Sequence, residues 1–362
     1  MTGARAAALI GLVAVAVGCG GKDTTAPTPT PVVRCISSSA SHTQSVSAPV
    51  TDIPTKYDSL FVAAANEFGV SSALLKSVAY VETRWQMVQG EEEFEGRPAA
   101  FGVMALRGER LTKGAARAGV SVRAAKYDAA ANIRAAAALI AAGGLDAVTD
   151  IALPEGRAAF AREVDAARGV PGARLQSQVA PNGCPTPTVD FATSLWRPSP
   201  NYNTRTTGIS MIIIHTCEGG YTGCWSWLVN PASQVSAHYV VNESGSEVSQ
   251  LVREKDRAWQ IAATYNCALN QNLDCAMNGT QMNHMTIGIE HAGYASQDSF
   301  PTSQLQKSAQ LVCDITKRQG IPRDSLHILG HGQMQPANRT DPGPRWPWNR
   351  YIAMIRSACG DS

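Results

Sequence analysis

Two histidines and an aspartate in the second half of the chain have the types and positions expected of metal ligands. His215 follows the apolar run 210–214, and His331 follows the segment 327–330, so each lies where a strand is expected to give way to a glycine-containing loop. Asp341 comes ten residues after His331. Two imidazoles and one carboxylate can form a zinc site with one position open to water. Such zinc lowers the pKa of the water towards about 7 and polarises a carbonyl oxygen, which is the chemistry needed to hydrolyse an amide.

Each feature is ambiguous alone, because a strand-end histidine is more often structural and Asp-Pro-Gly-Pro is more often only a turn.

The elements expected to position these residues are strands that alternate with helices. Asn242-Glu243-Ser244-Gly245 has the composition of a hairpin turn. Ser303, with Gln306 three residues later, is the predicted N-cap of a helix that ends at Gly320. This alternation predicts an α/β domain with a central mixed sheet flanked by helices. Apolar runs rich in β-branched residues predict strands at 210–214, 236–241, 247–252 and 286–290.

The combination of these stretches, in this order, resembles the zinc-dependent type-2 N-acetylmuramoyl-L-alanine amidases, which are related to phage amidases and animal peptidoglycan-recognition proteins. The resemblance implies that His215, His331 and Asp341 bind one Zn²⁺ and that Glu290 is the general base, which takes a proton from water and passes one to the leaving amine. It also implies that Arg339 replaces a lysine that many relatives carry, so that its charge can still stabilise an oxyanion but cannot supply a proton at pH 7. The implied substrate is the amide between N-acetylmuramic acid and L-alanine in peptidoglycan. The matching stretches are Ile213-Ile214-His215-Thr216, Val235-Ser236-Ala237-His238-Tyr239, Ala258-Trp259, Thr286-Ile287-Gly288-Ile289-Glu290, Gly330-His331 and Arg339-Thr340-Asp341-Pro342-Gly343-Pro344.

Three residues are expected to contact the substrate under the same resemblance. They are His238 and Tyr239, in the predicted hairpin beside the site, and Trp259. His238 is also the strongest rival as a metal ligand, although a role in orienting the substrate or a ligand is favoured. Gln260 stands where relatives often have histidine, which is expected to alter substrate contacts rather than the metal.

The first half of the chain is predicted to be an all-α domain over residues 51–176. Apolar residues at helical spacing predict helices at 56–68, 73–85 and 129–142. Glu82 lies near the end of the second of these helices. Apolar surroundings there would raise its pKa, so that it could donate a proton to a glycosidic oxygen. On spacing alone, a surface glutamate at a helix end is the simpler interpretation.

Three motifs in this half resemble those of the lytic transglycosylase, or lysozyme-like, domain. The resemblance implies that Glu82 is the single acid and base that cuts the glycan strand. Thr83 and Ala105 depart from the usual serine and glutamine, and the later Ala-Tyr-Asn motif is missing. We therefore expect a lysozyme-like fold that either cuts glycan or only binds it. The motifs are Val81-Glu82-Thr83-Arg84-Trp85, the stretch 100–106, and Tyr127-Asp128 through Asn132-Ile133 to Leu139.

The N-terminus has the pattern of an export signal. Arg5 precedes an apolar run over 6–17 that is too short for a comfortable membrane span. Residues 16–19, Ala-Val-Gly-Cys, resemble a bacterial lipobox and imply cleavage before Cys19 and acylation of that residue. An ordinary signal with a chance cysteine is the alternative. We expect an exported protein, anchored by lipid to a bacterial membrane, at the outer membrane or cell surface, and facing the cell wall.

These features divide the 362-residue chain into two domains with N-terminal extensions, as its length predicts. The net charge of +2, without a lysine- and arginine-rich block, gives no support to nucleic-acid binding. The expected partners are peptidoglycan and, through Cys19, a membrane. The expected segments are a signal peptide at 1–18, a Pro/Thr-rich tether at 19–50, a lysozyme-like domain at 51–176, a linker at 177–192 and a zinc amidase domain at 193–362.

The nine cysteines are consistent with an exported chain. Once Cys19 is assigned to lipid, an even number remains in a compartment that permits disulfides. A cysteine-ligated metal is the rival interpretation, but the sequence has no Cys-x-x-Cys pair. Sequence alone leaves the pairing open. The most economical pairs are Cys217–Cys224, Cys267–Cys275, Cys313–Cys359 and Cys35–Cys184.

Three functional hypotheses follow: a zinc amidase, a non-catalytic peptidoglycan-binding protein, and a glycan-cleaving enzyme that acts through Glu82. The complete set of His215, His331, Asp341 and Glu290 favours the amidase, because a protein that only binds has no need of all four.

Overall fold

The structure is a computed structural model that describes residues 49–94, 96–171 and 188–361. The predicted signal peptide, Cys19 and nearly all of the predicted tether lie outside the described residues, as do Cys35 and Cys184. None of the helices in the described ranges combines the length and the apolar character needed to cross a membrane.

The N-terminal part, residues 49–171, is built mainly of helices. They are α1 (Asp58–Phe68), α2 (Ser72–Thr83), α3 (Gly108–Arg117), α4 (Val122–Tyr127), α5 (Ala129–Gly143) and α6 (Pro154–Ala167). Ser71 caps α2, since its side chain accepts a hydrogen bond from the backbone N–H of Leu74 at 3.3 Å. The alanine-rich α5 lies at the centre, because its small side chains allow α1, α3 and α4 to pack closely around it.

A small antiparallel sheet corrects the prediction that this part is all-α. Its strands are β1 (Val88–Gln89), β2 (Ala100–Gly102) and β3 (Leu106–Arg107), paired in that order. Each strand is only two or three residues long, which is too short for the alternation that reveals a strand in sequence. The lysozyme-like identity of the N-terminal part stays a prediction.

The three motifs noted in the N-terminal half come together in the fold. Asn132, fully buried on α5, donates to the carbonyl of Phe101 at 3.0 Å and accepts from the N–H of Met104 at 2.8 Å. The hydroxyl of Thr83, at the end of α2, donates to the carbonyl of Val103 at 2.7 Å. These bonds attach the segment around β2 to both α2 and α5.

The C-terminal part, residues 188–361, is a mixed sheet flanked by helices, as predicted. The six-stranded sheet has the order β11-β6-β10-β7-β8-β4, and within it only the β7–β8 pair is antiparallel. The strands are β4 (Leu195–Trp196), β5 (Tyr202–Thr204), β6 (Met211–Thr216), β7 (Tyr239–Val241), β8 (Val248–Gln250), β9 (Asp256–Ala258), β10 (Thr286–His291) and β11 (Ile328–Gly330). The helices are α7 (Tyr221–Leu228), α8 (Met282–Met285), α9 (Thr302–Gln319), α10 (His331–Met334) and α11 (Trp348–Cys359).

The central strands β6 and β10 are buried along their whole length and lie side by side in parallel. Their register sets His215 opposite Glu290. Ile212 and Ile214 of β6 belong to the core that packs with α9 and α11. Because side chains alternate along a strand, His215 and Glu290 point to the other face of the sheet.

The N-cap of helix α9 lies two residues before the predicted one. Pro301 is the N-cap residue and Ser303 lies inside the helix, with no side-chain capping bond at this end, so the predicted capping role of Ser303 is wrong. The helix ends as expected at Gly320, whose φ of 69° is the left-handed conformation that glycine adopts most readily.

Three of the predicted disulfides form, and one of them lies next to the predicted metal site. They are Cys217–Cys224, Cys267–Cys275 and Cys313–Cys359. The first joins the residue after β6 to α7, so it fixes the loop that follows His215. The Cys35–Cys184 pair lies outside the described residues.

The N-terminal and C-terminal parts pack together within one compact unit. Phe94, in the loop between β1 and β2, is buried in a cluster that includes Tyr221, Trp225 and Leu228 of α7. Arg84, after α2, forms an ion pair with Glu243 at 3.1 Å. The two predicted domains therefore share a packed interface.

Glu163 of α6 makes this interface sensitive to pH. Its carboxylate accepts a hydrogen bond from the hydroxyl of Thr222 on α7 at 2.6 Å. Burial, reinforced by the nearby Glu243, raises the pKa of Glu163 to about 8 from an ordinary value of 4.5. Between these pH values the unfolded chain releases this proton before the folded chain does, so stability falls as the pH rises.

We therefore expect Glu163→Gln to melt at a higher temperature than the wild type at pH 8 to 9, by about 2 °C, and at the same temperature near pH 4. Calorimetry at the two pH values measures this difference. Glu92→Gln, at an exposed position, is the control and should match the wild type at both. Equal melting temperatures for Glu163→Gln and the wild type at pH 8.5 would contradict the expectation.

Candidate metal and catalytic site

The structure brings the three predicted metal ligands together. His215 is near the end of β6, His331 directly follows β11, and Asp341 lies in the loop after α10; all three are buried. The Nδ1 atoms of the two histidines are 3.1 Å apart. Asp341 places Oδ2 3.1 Å from Nδ1 of His215 and Oδ1 3.2 Å from Nδ1 of His331.

These distances fit a tetrahedral metal ion. Zinc binds nitrogen and oxygen at about 2.0–2.1 Å, so neighbouring ligand atoms of a tetrahedron lie about 3.3 Å apart. The three donor pairs measure 3.1 to 3.2 Å. Glu93 of the N-terminal part belongs to the same group, whose four donor atoms all lie within 4.8 Å of one another. The donor set is therefore suited to a metal ion.

Two glutamines fix the ring orientation of the histidines. Oε1 of Gln260 lies 3.2 Å from Nε2 of His215, and Oε1 of Gln335 lies 3.3 Å from Nε2 of His331. An amide oxygen can only accept, so each Nε2 carries the hydrogen and each Nδ1 is left free to bind a metal. The sequence indicated neither role, and Gln260 contacts a predicted ligand rather than only the substrate.

We expect Gln335→Leu to weaken zinc binding by about 10- to 100-fold, because its loss frees the ring of His331 to turn or to change tautomer. Competition with a chromogenic chelator measures the affinity. The matched control is Gln333→Leu, on α10, whose amide instead donates to the carbonyl of Leu269 at 3.3 Å. The role assigned to Gln335 would be wrong if both variants bound zinc as tightly as the wild type.

The negative charges of the cluster favour a bound cation. Burial alone would lower the pKa of His331, but the carboxylates of Asp341 and Glu93 outweigh it and raise the pKa to about 9. Burial likewise opposes ionisation of Asp341, yet the two histidines hold its pKa well below its usual range. In the metal-free chain, protons on the imidazoles balance the carboxylates. A divalent ion would supply that positive charge instead.

Glu290 lies beside the donor cluster with an unused oxygen. Its Oε2 is buried and has no hydrogen-bond partner within the described part of the chain. Burial raises the pKa of Glu290 to about 8, with Glu93 and Asp341 adding to the effect and His215 opposing it. A buried carboxylate oxygen without a partner destabilises the fold, which is typical of a group kept for a ligand. Its neighbours Cys217 and Cys224 are joined in a disulfide and so offer no thiolate.

Arg339 lies at the edge of the same cluster, with 18% of its side chain exposed. Its Nε is 3.7 Å from Oε2 of Glu93 and makes no hydrogen bond to the residues described. A guanidinium in this position can stabilise negative charge that develops beside the metal ligands. Glu93 was not predicted, because a Glu-Glu-Glu run in a polar loop has the sequence character of a solvated surface.

The predicted substrate contacts of His238 and Tyr239 are not supported by their positions. Both are fully buried. His238 accepts the N–H of Gly288 at Nδ1 and has Nε2 3.1 Å from the carbonyl of Asp256, and burial lowers its pKa to about 3. Tyr239 donates to Glu254 at 2.7 Å. These partners give both residues structural roles, and neither joins the metal cluster.

Trp259 is half-buried, and its indole N–H donates to the side-chain oxygen of Asn203 at 3.1 Å. Its face is partly accessible, so its role as a substrate contact stays a prediction.

Glu82 is near the end of α2, at the interface between the two parts. It lines a cavity of about 200 Å³ that is also lined by Arg84, Glu243 and Tyr294. Burial raises the pKa of Glu82 to about 7, and the nearby Arg107 opposes this rise. A cavity of that size is below the roughly 300 Å³ of the smallest ordinary ligand pockets. Glu82 itself is half-buried, and glycan cleavage by Glu82 stays a prediction.

Comparison with known proteins shows the family of this site. Residues 203–344 match the family described as N-acetylmuramoyl-L-alanine amidase. The chain is 34% identical over 193 residues to N-acetylmuramoyl-L-alanine amidase A of Achromobacter lyticus, with 48% of this chain and 99% of that protein covered. The chain belongs to the N-acetylmuramoyl-L-alanine amidase family.

Other amidases are more distant. The chain is 27% identical over 150 residues to N-acetylmuramoyl-L-alanine amidase AmiD of Escherichia coli K12, which covers 39% of this chain and 51% of AmiD. A crystal structure of a selenomethionine AmpD derivative is 26% identical, covers 46% of this chain and 96% of that chain, and has a TM-score of 0.36.

The amidase family match includes the three predicted ligands, Glu290 and Arg339, but it does not include Glu93. The fourth donor of the cluster thus comes from outside the residues that define the family.

Proposed function

We propose that the chain hydrolyses the amide bond between N-acetylmuramic acid and L-alanine in peptidoglycan, with one Zn²⁺ held by His215, His331 and Asp341. The observation that carries this proposal is the convergence of three buried side chains, whose nearest donor atoms are pairwise 3.1 to 3.2 Å apart, in a chain of the amidase family. Zinc, when bound, would polarise the scissile carbonyl and lower the pKa of a water molecule.

The protein's own groups divide the remaining work. Glu290 takes a proton from the attacking water and passes one to the nitrogen of L-alanine as the C–N bond breaks. Arg339 stabilises the negative charge that develops on the carbonyl oxygen. Gln260 and Gln335 hold the imidazoles in place. The products are a stem peptide with a free amine and a glycan strand that keeps the lactyl carboxylate.

The test uses chromatography to measure the release of a peptide with a free L-alanine amine from a synthetic N-acetylmuramoyl-peptide. We expect release that stops when a chelator removes the metal and resumes when Zn²⁺ is added. The chain would act only as a wall-binding protein if it bound zinc but released no peptide, either as the wild type or in any variant described below.

We also propose that the chain is exported and anchored by lipid at Cys19, facing the cell wall. The support is the sequence pattern of the first 19 residues and the Pro/Thr-rich stretch after them. The three disulfides agree with an oxidising compartment. A tether of this kind would raise the effective concentration of the amidase near the wall.

A further inference from the structure

Glu93 reaches the donor cluster from the loop between β1 and β2. Its Oε1 lies 3.0 Å from Nδ1 of His331 and 3.7 Å from Nδ1 of His215. The residue is only 6% exposed, whereas Glu91 and Glu92 beside it are exposed. The carboxylate therefore belongs to the same group of donor atoms as His215, His331 and Asp341, all within 4.8 Å of one another.

We infer that Glu93 is the fourth ligand of the metal, and that it closes the coordination position that amide hydrolysis requires. This inference rests on the proposed function. Hydrolytic zinc sites have three protein ligands and leave one position for water or substrate, whereas sites with four protein ligands are structural. With Glu93 in place the site has four, so the chain in this arrangement is a latent amidase.

The second carboxylate oxygen of Glu93 lies beside Arg339, the cationic group that the reaction needs. Oε2 faces Nε of Arg339 at 3.7 Å. The guanidinium that would stabilise the developing oxyanion is thus already paired with a carboxylate. One side chain blocks both the metal side and the cationic side of the site, so substrate can bind productively only after Glu93 leaves.

Contacts on both sides of Glu93 hold it there. The backbone N–H of Glu91 donates to the carboxylate of Glu218 at 3.0 Å, and the carboxylate of Glu91 accepts from the hydroxyl of Thr340 at 2.7 Å. Phe94 is buried against α7. The metal contact is therefore part of a built interface rather than the chance position of a mobile side chain.

The same interface extends to α2, beside the half-buried Glu82. Gly220, just before α7, approaches α2 so closely that a Cβ there would lie 2.9 Å from the carbonyl oxygen of Val81. Withdrawal of the loop that carries Glu93 would expose the donor cluster, which is now buried. Activation of the amidase thus requires this loop to move away from the donor cluster.

The experiment compares three variants of the full chain with the wild type: Glu93→Ala, Phe94→Ser and, as the matched control, Glu92→Ala. Zinc affinity is measured by chelator competition, and the visible absorption of the Co²⁺-substituted chain reports the coordination number. Release of peptide from the synthetic N-acetylmuramoyl-peptide is measured at saturating Zn²⁺.

For Glu93→Ala we expect zinc affinity to fall at least about tenfold, because one of four donors is lost, and the Co²⁺ absorption to change. We expect peptide release to rise at least about tenfold. Phe94→Ser keeps all four donors but loosens the loop, so peptide release should rise there too. Glu92→Ala should match the wild type in all three measurements.

Unchanged zinc affinity and Co²⁺ absorption in Glu93→Ala would overturn the assignment of a fourth ligand. A fall in peptide release at full zinc occupancy would overturn latency, because Glu93 would then assist the reaction. If Glu93→Ala lost zinc affinity and changed the Co²⁺ absorption, but no variant released peptide, the fourth ligand would stand and the proposed amidase function would fail.

Discussion

Replacing His215 with alanine is expected to remove both metal binding and amidase activity. Four-ligand zinc sites bind with about 10–16 kcal/mol, so one ligand accounts for about 3–4 kcal/mol, which is a loss of at least about 100-fold in affinity. His215 is buried and its Nδ1 lies 3.1 Å from donor atoms of both His331 and Asp341, so its loss removes one of the converging ligands. Zinc titration by calorimetry and the peptide-release assay measure the two effects.

The substitution is made in the wild type and in the Glu93→Ala chain, so that latency does not hide a loss of activity. His327→Ala is the matched control. His327 pairs with Asp324 at 2.7 Å outside the cluster, and its loss should leave zinc affinity unchanged. If His215→Ala bound one zinc with wild-type affinity, the ligand set would be wrong.

Glu290→Gln is expected to keep the metal and lose the reaction. Glutamine has the same size but cannot accept and return a proton, and a general base contributes about 10²–10⁴-fold to rate. Glu290 is not one of the four residues of the donor group, so zinc affinity should change little. The measurement is the turnover of the synthetic N-acetylmuramoyl-peptide in the Glu93→Ala background, alongside zinc affinity.

A fall of less than threefold in turnover would contradict the assignment of Glu290 as the base. A fall in turnover accompanied by an equal fall in zinc affinity would instead indicate that Glu290 acts on the metal ligands.

His215, His331 and Glu290 could be predicted from the sequence because they occupy recognisable local positions. His215 and Glu290 each come near the end of an apolar strand, and parallel strands bring such positions to one edge of the sheet. His331 also follows a buried strand. Residues at the ends of neighbouring parallel strands can therefore be predicted to share one site even when the rest of the fold is unknown.

The residues that sequence reasoning missed are those that only the folded chain brings to the site. Glu93 is 238 positions from the histidine it contacts, and it lies in a different half of the chain. Gln335 is close in sequence, but only the helical turn that begins at His331 brings its amide to the ring. No periodicity or composition carries information of this kind.

Burial explains why the structure does not support two of the predicted substrate contacts. His238 and Tyr239 stand in a stretch typical of the family, yet the strand they introduce is central, so their polar atoms are satisfied inside the core. The resemblance implied that they contact the substrate, whereas the structure buries both. The N-terminal strands were missed for another reason, since two or three residues cannot show alternation.

Mass spectrometry of purified peptidoglycan after digestion tests the central claim most directly, with the wild type and Glu93→Ala each assayed with and without chelator. We predict free stem peptides that begin with L-alanine and intact glycan strands, more abundant with Glu93→Ala, absent with chelator and restored by Zn²⁺. Peptide release that persists in the metal-free chain, or cut glycan without any released peptide, would contradict the account.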